Sequence, residues 1–173
     1  VIEQLPGDPG VLTTKPPFPA LPGNQCVRSS CEALRDSLWT GGVYGDPDAE
    51  WEDPQPRRVA DGFAGTHCLA ITASTHGGTT FCRSNTIPVA PRTSYCASLW
   101  MKATVPGTII NVALQSLTDP HYRSSGGHCT LTAEWERYEV TTAPLPDGAR
   151  YAYIDLSIPS GQSGQVLIDA VQV

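Results

Sequence analysis

Charge is scarce in this 173-residue chain: Asp, Glu, Lys and Arg together make up 16%, against about a quarter in ordinary soluble domains. What charge there is leans acidic, with a net of −6. That balance argues against a nucleic-acid binder and against a polybasic membrane-surface protein. No apolar run approaches the roughly 18 residues of a membrane-spanning helix, so membrane insertion is not expected. None of the six cysteines sits in a CxxC pair, which removes zinc ribbons, thioredoxin-like sites and c-type haem. His67, His76, His121 and His128 show neither HExxH nor paired spacing, so zinc has no ligand set. Nucleophile elbow, P-loop and dinucleotide fingerprint are all missing. Asp61, Glu134, Glu136 and Asp155 could pair in space as glycosidase carboxylates do, but no spacing singles them out. An enzyme is therefore not the expected reading.

What the chain has in plenty is punctuation: sixteen glycines and sixteen prolines. With abundant Thr, Ser and Val they point to short strands and turns rather than helices. The length suits one domain with a single core. Six cysteines, Cys26, Cys31, Cys68, Cys82, Cys96 and Cys129, are an even count, and three disulfides in an oxidising compartment are expected. Val1 stands where an initiator Met would be and no signal peptide precedes it, so it reads as a mature or trimmed terminus. The expectation is a secreted or cell-surface, extracellular protein.

Residues 1–25 hold six prolines and read as an extended arm or linker, with one edge strand available to residues 1–5. Residues 26–173 form the expected single domain. A short helix around residues 31–38 is weakly signalled. Residues 40–62, with Gly41-Gly42, Asp46-Pro47 and Asp53-Pro54, read as a long surface loop.

From residue 63 the apolar pattern has a period of two, the strand signal. Leu69 and Ile71 alternate with Cys68 and Ala70, His76-Gly77-Gly78 supplies a turn, and Thr79, Phe81 and Arg83 follow. A hairpin that pairs Leu69 with Phe81 also sets Cys68 opposite Cys82, so that bridge is favoured. Cys26–Cys31 is then the local pair and Cys96–Cys129 remains, one of fifteen arrangements that six cysteines allow. Residues 95–103, 109–117, 151–158 and 165–173 are further strands. Tyr95, Leu99, Met101, Ile110, Val112, Leu114, Ile154 and Leu156 are their core positions, and Leu167 with Val171 suggests a last strand covered on both faces. Short strands divided by Gly/Pro turns make a β-sandwich.

Four blocks in order resemble the carbohydrate-binding modules of the family 4/9/22 type. Gly65-Thr66-His67-Cys68-Leu69-Ala70-Ile71 is similar to their G-x-x-x-L-x-I strand. Tyr95-Cys96-Ala97-Ser98-Leu99-Trp100-Met101-Lys102-Ala103 is similar to Y-x-x-S-x-W-x-K-A. Glu134-Trp135-Glu136-Arg137-Tyr138-Glu139-Val140, followed by Pro144, is similar to E-W-x-x-Y-x-V, and residues 166–173 are similar to the closing I-D-D-V strand. The family's N-terminal strand has only Glu32 and Trp39 at approximate spacing. The resemblance implies a jelly-roll β-sandwich of two antiparallel sheets, a glycan groove on the concave sheet, and often one structural calcium. Asp169 matches the calcium-holding position and Glu32 is a candidate partner, whereas the family's second Asp is Ala170 here; Asp169 could equally be a hydrogen-bonding carboxylate.

The residues themselves also offer a groove. Opposite the core positions stand Trp100, Lys102, Asn111, Gln115, Tyr151, Tyr153 and Asp155. A sugar exposes flat C–H faces ringed by hydroxyls, so aromatic plates beside amides and carboxylates suit it; the same cluster could instead be covered by the proline-rich arm or a partner subunit. Trp39, Tyr44 and Trp51 beside the long loop, and His121-Tyr122-Arg123, form a second candidate site or anchor their loops. The expected function is non-catalytic binding of a polysaccharide or glycan. The rival expectation is a structural subunit of an extracellular filament or coat, in which residues 1–22 pair with an identical neighbour.

Overall fold

The computed structural model describes residues 39–44, 56–117 and 123–173. Among them the chain forms eleven strands and no helix: β1 (Trp39–Tyr44), β2 (Arg57–Ala60), β3 (His67–Thr72), β4 (Thr79–Ser84), β5 (Ile87–Pro88), β6 (Cys96–Ala103), β7 (Ile109–Ser116), β8 (Arg123–Thr130), β9 (Glu136–Thr141), β10 (Tyr151–Ile158) and β11 (Gln165–Gln172). A front sheet has the order β1-β4-β10-β7-β8, with β5 also pairing to β10; a back sheet has the order β2-β3-β11-β6-β9. Every pairing is antiparallel. The expected all-β sandwich of two antiparallel sheets is what the chain forms. No helix among the described residues is long and apolar enough to cross a membrane.

The period-two pattern builds the core directly, because alternate residues of a strand face alternate sides of its sheet. Ala97, Leu99, Met101 and Ala103 of β6 and Val166 and Ile168 of β11 point inward from the back sheet. Ile110, Val112 and Leu114 of β7 and Ile154, Leu156 and Ile158 of β10 meet them from the front sheet, all in one buried cluster. Each fully buried Leu or Ile contributes about 1.5–3 kcal/mol. Tyr95 sits at the margin of this core, and its hydroxyl accepts the Ala90 N–H at 2.7 Å. As its apolar pattern suggests, β11 is covered on both faces: it lies in the middle of the back sheet, and outward-facing Leu167 joins Cys68 and Ala70 under Val59 and Trp135.

The hairpin expected around His76-Gly77-Gly78 does not form. The turn is there, with Gly77 at φ +87°, but the chain crosses from one sheet to the other at this point. Strand β3 pairs with β2 and β11, while β4 pairs with β1 and β10. Cys68 therefore lies on the outer side of the back sheet and Cys82 in the central core, so the Cys68–Cys82 bridge is absent. Cys96–Cys129 is absent too: Cys96 is an exposed free thiol on the back sheet, and Cys129 is a buried one facing inward from β8. Burial, with the Asp155 charge adding to it, pushes the Cys82 thiol far up, and burial raises that of Cys129. Both stay protonated and behave as small apolar core residues. Cys26 and Cys31 lie outside the described residues, as do the proline-rich arm and the helix signalled around residues 31–38.

The loop expected over residues 40–62 contains two strands instead, β1 and β2; residues 45–55 between them lie outside the described residues. Trp39, a candidate for loop contact with a ligand, is 7% exposed and packs in the core. Gly41-Gly42, read as a turn, lies within β1. Gly42 stands opposite Phe81 of β4, and a Cβ there would be 2.9 Å from two carbons of the Phe81 ring. The missing side chain lets that ring lie across the edge strand. Strand β8 carries no alternating apolar signal, and Gly126 shows why one would not fit: its Cβ would stand 1.7 Å from Val140 Cγ1 and 3.0 Å from the Val112 carbonyl oxygen.

Candidate functional site on the front sheet

The outward face of the front sheet gathers the side chains left over by the core pattern. Across it the register aligns Thr40, Arg83, Asp155 and Ala113 in one row, and Gly42, Phe81, Ser157, Asn111 and His128 in the next; Tyr153 pairs with Gln115 on the other side of the first row. The aromatic rings form a chain. Tyr44, at the end of β1 and 45% exposed, tilts against Phe81 with centroids 5.5 Å apart. The Arg83 guanidinium lies 4.5 Å from the Phe81 centroid and 5.3 Å from that of Tyr153. A cation on two ring faces holds all three side chains in place at modest cost in freedom.

Beneath them are polar groups out of solvent. Asp155 is 2% exposed and its Oδ2 lies 3.7 Å from Arg83 Nε. Ser157 and Gln115 are buried as well, and Asn111 Nδ2 donates to Ser157 Oγ at 3.4 Å. Tyr151 at the far end of β10 is 55% exposed, beyond the aromatic chain. Five of the seven side chains expected to share a groove, Asn111, Gln115, Tyr151, Tyr153 and Asp155, therefore do share one sheet face. Gln115 and Asp155 sit below its surface, and Asp155 pairs with Arg83.

Trp100 and Lys102 do not join them. Both are on β6, in the other sheet, facing away from the front face. Trp100 is stacked by Phe63, with centroids 3.7 Å apart and planes 11° from parallel, and Trp135 tilts against the same Phe63 ring at 6.1 Å. Lys102 forms an ion pair of 2.6 Å with Asp61 and lies 5.1 Å from the Trp135 ring. Asp61 and Phe63 belong to the turn between β2 and β3, so Trp100 and Lys102 fasten that turn to the back sheet. The front face gains residues the sequence pattern did not nominate. Phe81 and Arg83 alternate with Cys82 in Thr79-Thr80-Phe81-Cys82-Arg83-Ser84, and an inward Cys82 would have placed them outward. His121, Tyr122 and Trp51 lie outside the described residues.

Asp169 is fully buried on the back sheet. Its Oδ2 accepts the Ala64 N–H at 2.8 Å and its Oδ1 the Ala170 N–H at 2.7 Å, the latter holding Ala170 in a left-handed conformation at φ +52°. The register between β11 and β6 shifts just beyond it. Calcium takes six to eight oxygens, and among the described residues no three His, Cys, Asp or Glu side chains converge to hold a metal. Glu32, the other candidate carboxylate for calcium, lies outside the described residues.

No family model and no curated protein matches the sequence. Solved structures do match. TmCBM61 in complex with β-1,4-galactotriose is 16% identical with a TM-score of 0.60, over 86% of this chain and 96% of that one. A CBM4 module is 22% identical with a TM-score of 0.56, over 82% and 89%. The enzymatically active domain of tailspike protein 4 from bacteriophage CBA120 is 18% identical with a TM-score of 0.62, over 86% of this chain but 21% of that one. The two-sheet topology and these likenesses lead to one conclusion: the chain has the jelly-roll β-sandwich fold of the carbohydrate-binding modules.

Proposed function

We propose that this chain is a non-catalytic carbohydrate-binding domain that holds a glycan along the outward face of the front sheet, on a secreted or cell-surface protein. The observation that carries the reading is the aromatic chain Tyr44–Phe81–Tyr153 bound together by Arg83. Ring faces of this kind stack on the C–H faces of pyranoses, and the exposed His128 and half-buried Asn111 beside them supply hydrogen bonds to hydroxyls. The fold supports the reading, since TmCBM61, which shares it, is in complex with β-1,4-galactotriose. Trp100 and Lys102 have no part in the site. Among the described residues the front face carries one carboxylate, Asp155, buried against Arg83.

Affinity electrophoresis against a panel of soluble polysaccharides tests the reading, with Tyr153→Ala as the diagnostic variant. Removing a stacking ring costs about 1.5–3 kcal/mol, so affinity should fall at least about tenfold while the circular dichroism stays native. Unchanged affinity moves the site off this face; retention by no polymer sinks the reading altogether. The filament alternative depends on residues 1–22, outside the described residues, and ordered polymers of this chain under light scattering would favour it over a monomeric binder.

Structural calcium at Asp169 belongs to the same proposal, with Glu32 as partner. An ion bound to the native state alone raises stability in proportion to the logarithm of its concentration. The melting temperature should therefore rise by several degrees from EDTA to millimolar calcium, and identical melting curves would leave Asp169 to its N–H partners.

A further inference from the structure

We propose that Arg83 makes the front-sheet face selective for a glycan carrying a carboxylate, that is, a uronic acid unit; the inference rests on the reading of this face as a glycan site and names the class of sugar it takes. Arg83 is on β4, next to the middle strand β10, and lies over both the Phe81 and Tyr153 rings. Its side chain is 38% exposed, so part of the guanidinium fork is open to solvent. A guanidinium carries five N–H donors and no acceptor. Among the described residues none of these donors makes a hydrogen bond: Nε is buried without an acceptor, and Asp155 Oδ2 at 3.7 Å is an ion-pair contact beyond hydrogen-bond length.

The surroundings decide which oxygen fits. A sugar hydroxyl that accepts from Arg83 must itself donate to something, and the strongest acceptors nearby, Asp155 and Gln115, are 2% and 8% exposed. A ligand therefore meets the cation and not its counter-ion. A carboxylate needs donors only and matches the planar fork with two parallel hydrogen bonds, which are shorter and about twice as strong as neutral ones. The rings on either side limit the directions in which the guanidinium can turn, so the fork is oriented before a ligand arrives. Asp155 balances the charge of Arg83 and the chain carries a net −6. Selectivity then comes from directional hydrogen bonds at one residue, not from long-range attraction of a polyanion.

The test compares each of three uronate polymers, polygalacturonate, glucuronoxylan and alginate, with its own carboxyl-reduced form, by calorimetry on the full chain. At least one acidic polymer should bind about tenfold more tightly than its reduced partner, a difference of about 1.4 kcal/mol. Arg83→Gln should shrink that preference below about threefold, and Arg83→Lys, which keeps the charge but loses the fork, should leave an intermediate one. Native circular dichroism of either variant makes its result decisive. Reduced polymers bound as well as or better than the acids would overturn the inference and leave glycan binding standing. Binding of neutral polysaccharides alone would do the same, and an acid preference that survives Arg83→Gln would place the carboxylate elsewhere. No binding to any polymer, acidic or neutral, would remove both readings.

Discussion

Trp100→Ala is expected to lower the melting temperature by about 5–10 °C and to leave glycan affinity within about threefold of the parent. A buried Trp truncated to Ala costs about 3–5 kcal/mol, and Trp100, half-buried under Phe63, should fall at or just below the bottom of that range. At 2–4 °C per kcal/mol for a domain of this size the loss is readily measured. Tyr153→Ala should show the reverse, an affinity loss with a smaller change in melting, because its ring is only half-buried on the outward face of the front sheet. The pair of variants forms a crossed experiment, in which each sheet's aromatic residue answers to a different assay. If Trp100→Ala weakens binding tenfold with an unchanged melting curve, the back sheet is the glycan surface and the front-face assignment fails.

The reason Trp100 had looked like a groove residue is instructive about what strand periodicity conveys. Alternation separates inward from outward, and it did so correctly for Leu99, Met101, Ile110, Val112, Leu114, Ile154 and Leu156, all of them buried. It does not say which sheet a strand enters, because that depends on pairing between residues far apart in sequence. In a sandwich the outward residues of two strands can lie on opposite sides of the molecule. Strand β6 went to the back sheet and β7 and β10 to the front, so Trp100 and Lys102 parted from Asn111, Gln115, Tyr151, Tyr153 and Asp155. The same gap undid the cysteine pairing. A turn at Gly77 suggested a hairpin, yet the chain uses it to cross between sheets, and Cys68 and Cys82 end on different sides of the back sheet. Phe81 was missed as a site residue because an aromatic in a strand reads as core. Its outward seat follows from the inward Cys82, and Gly42, on a strand distant in sequence, leaves room for the ring. Asp169 stands out in the sequence only through the family resemblance, as a calcium ligand or a hydrogen-bonding carboxylate. Burying a carboxylate in an apolar strand is costly unless it is hydrogen-bonded, and it accepts two backbone N–H groups here.

Asp169→Ala is expected to be the most damaging single change, costing about 3–5 kcal/mol in urea unfolding. It strands the Ala64 and Ala170 N–H groups in a fully buried site, and each unsatisfied buried donor costs about 1–3 kcal/mol. Asp169→Asn should lose roughly half as much, since its amide keeps one accepting oxygen but turns an NH2 toward the second N–H. The effect should extend beyond those two bonds. Ala64 adjoins Phe63, so Asp169 and Trp100 hold the same turn to the back sheet, one through a backbone hydrogen bond and the other through a ring stack. Two restraints on one segment cannot be lost twice. In a double-mutant cycle with Trp100→Ala, the combined loss should fall short of the sum by at least about 1 kcal/mol, within the range found for residues that share a partner. Strict additivity would mean that Phe63 keeps its place on Trp100 without the Asp169 bond, and that the turn is held chiefly by the Lys102–Asp61 ion pair. Lys102→Met, which keeps the aliphatic stem and removes the charge, would then take over as the variant that frees it.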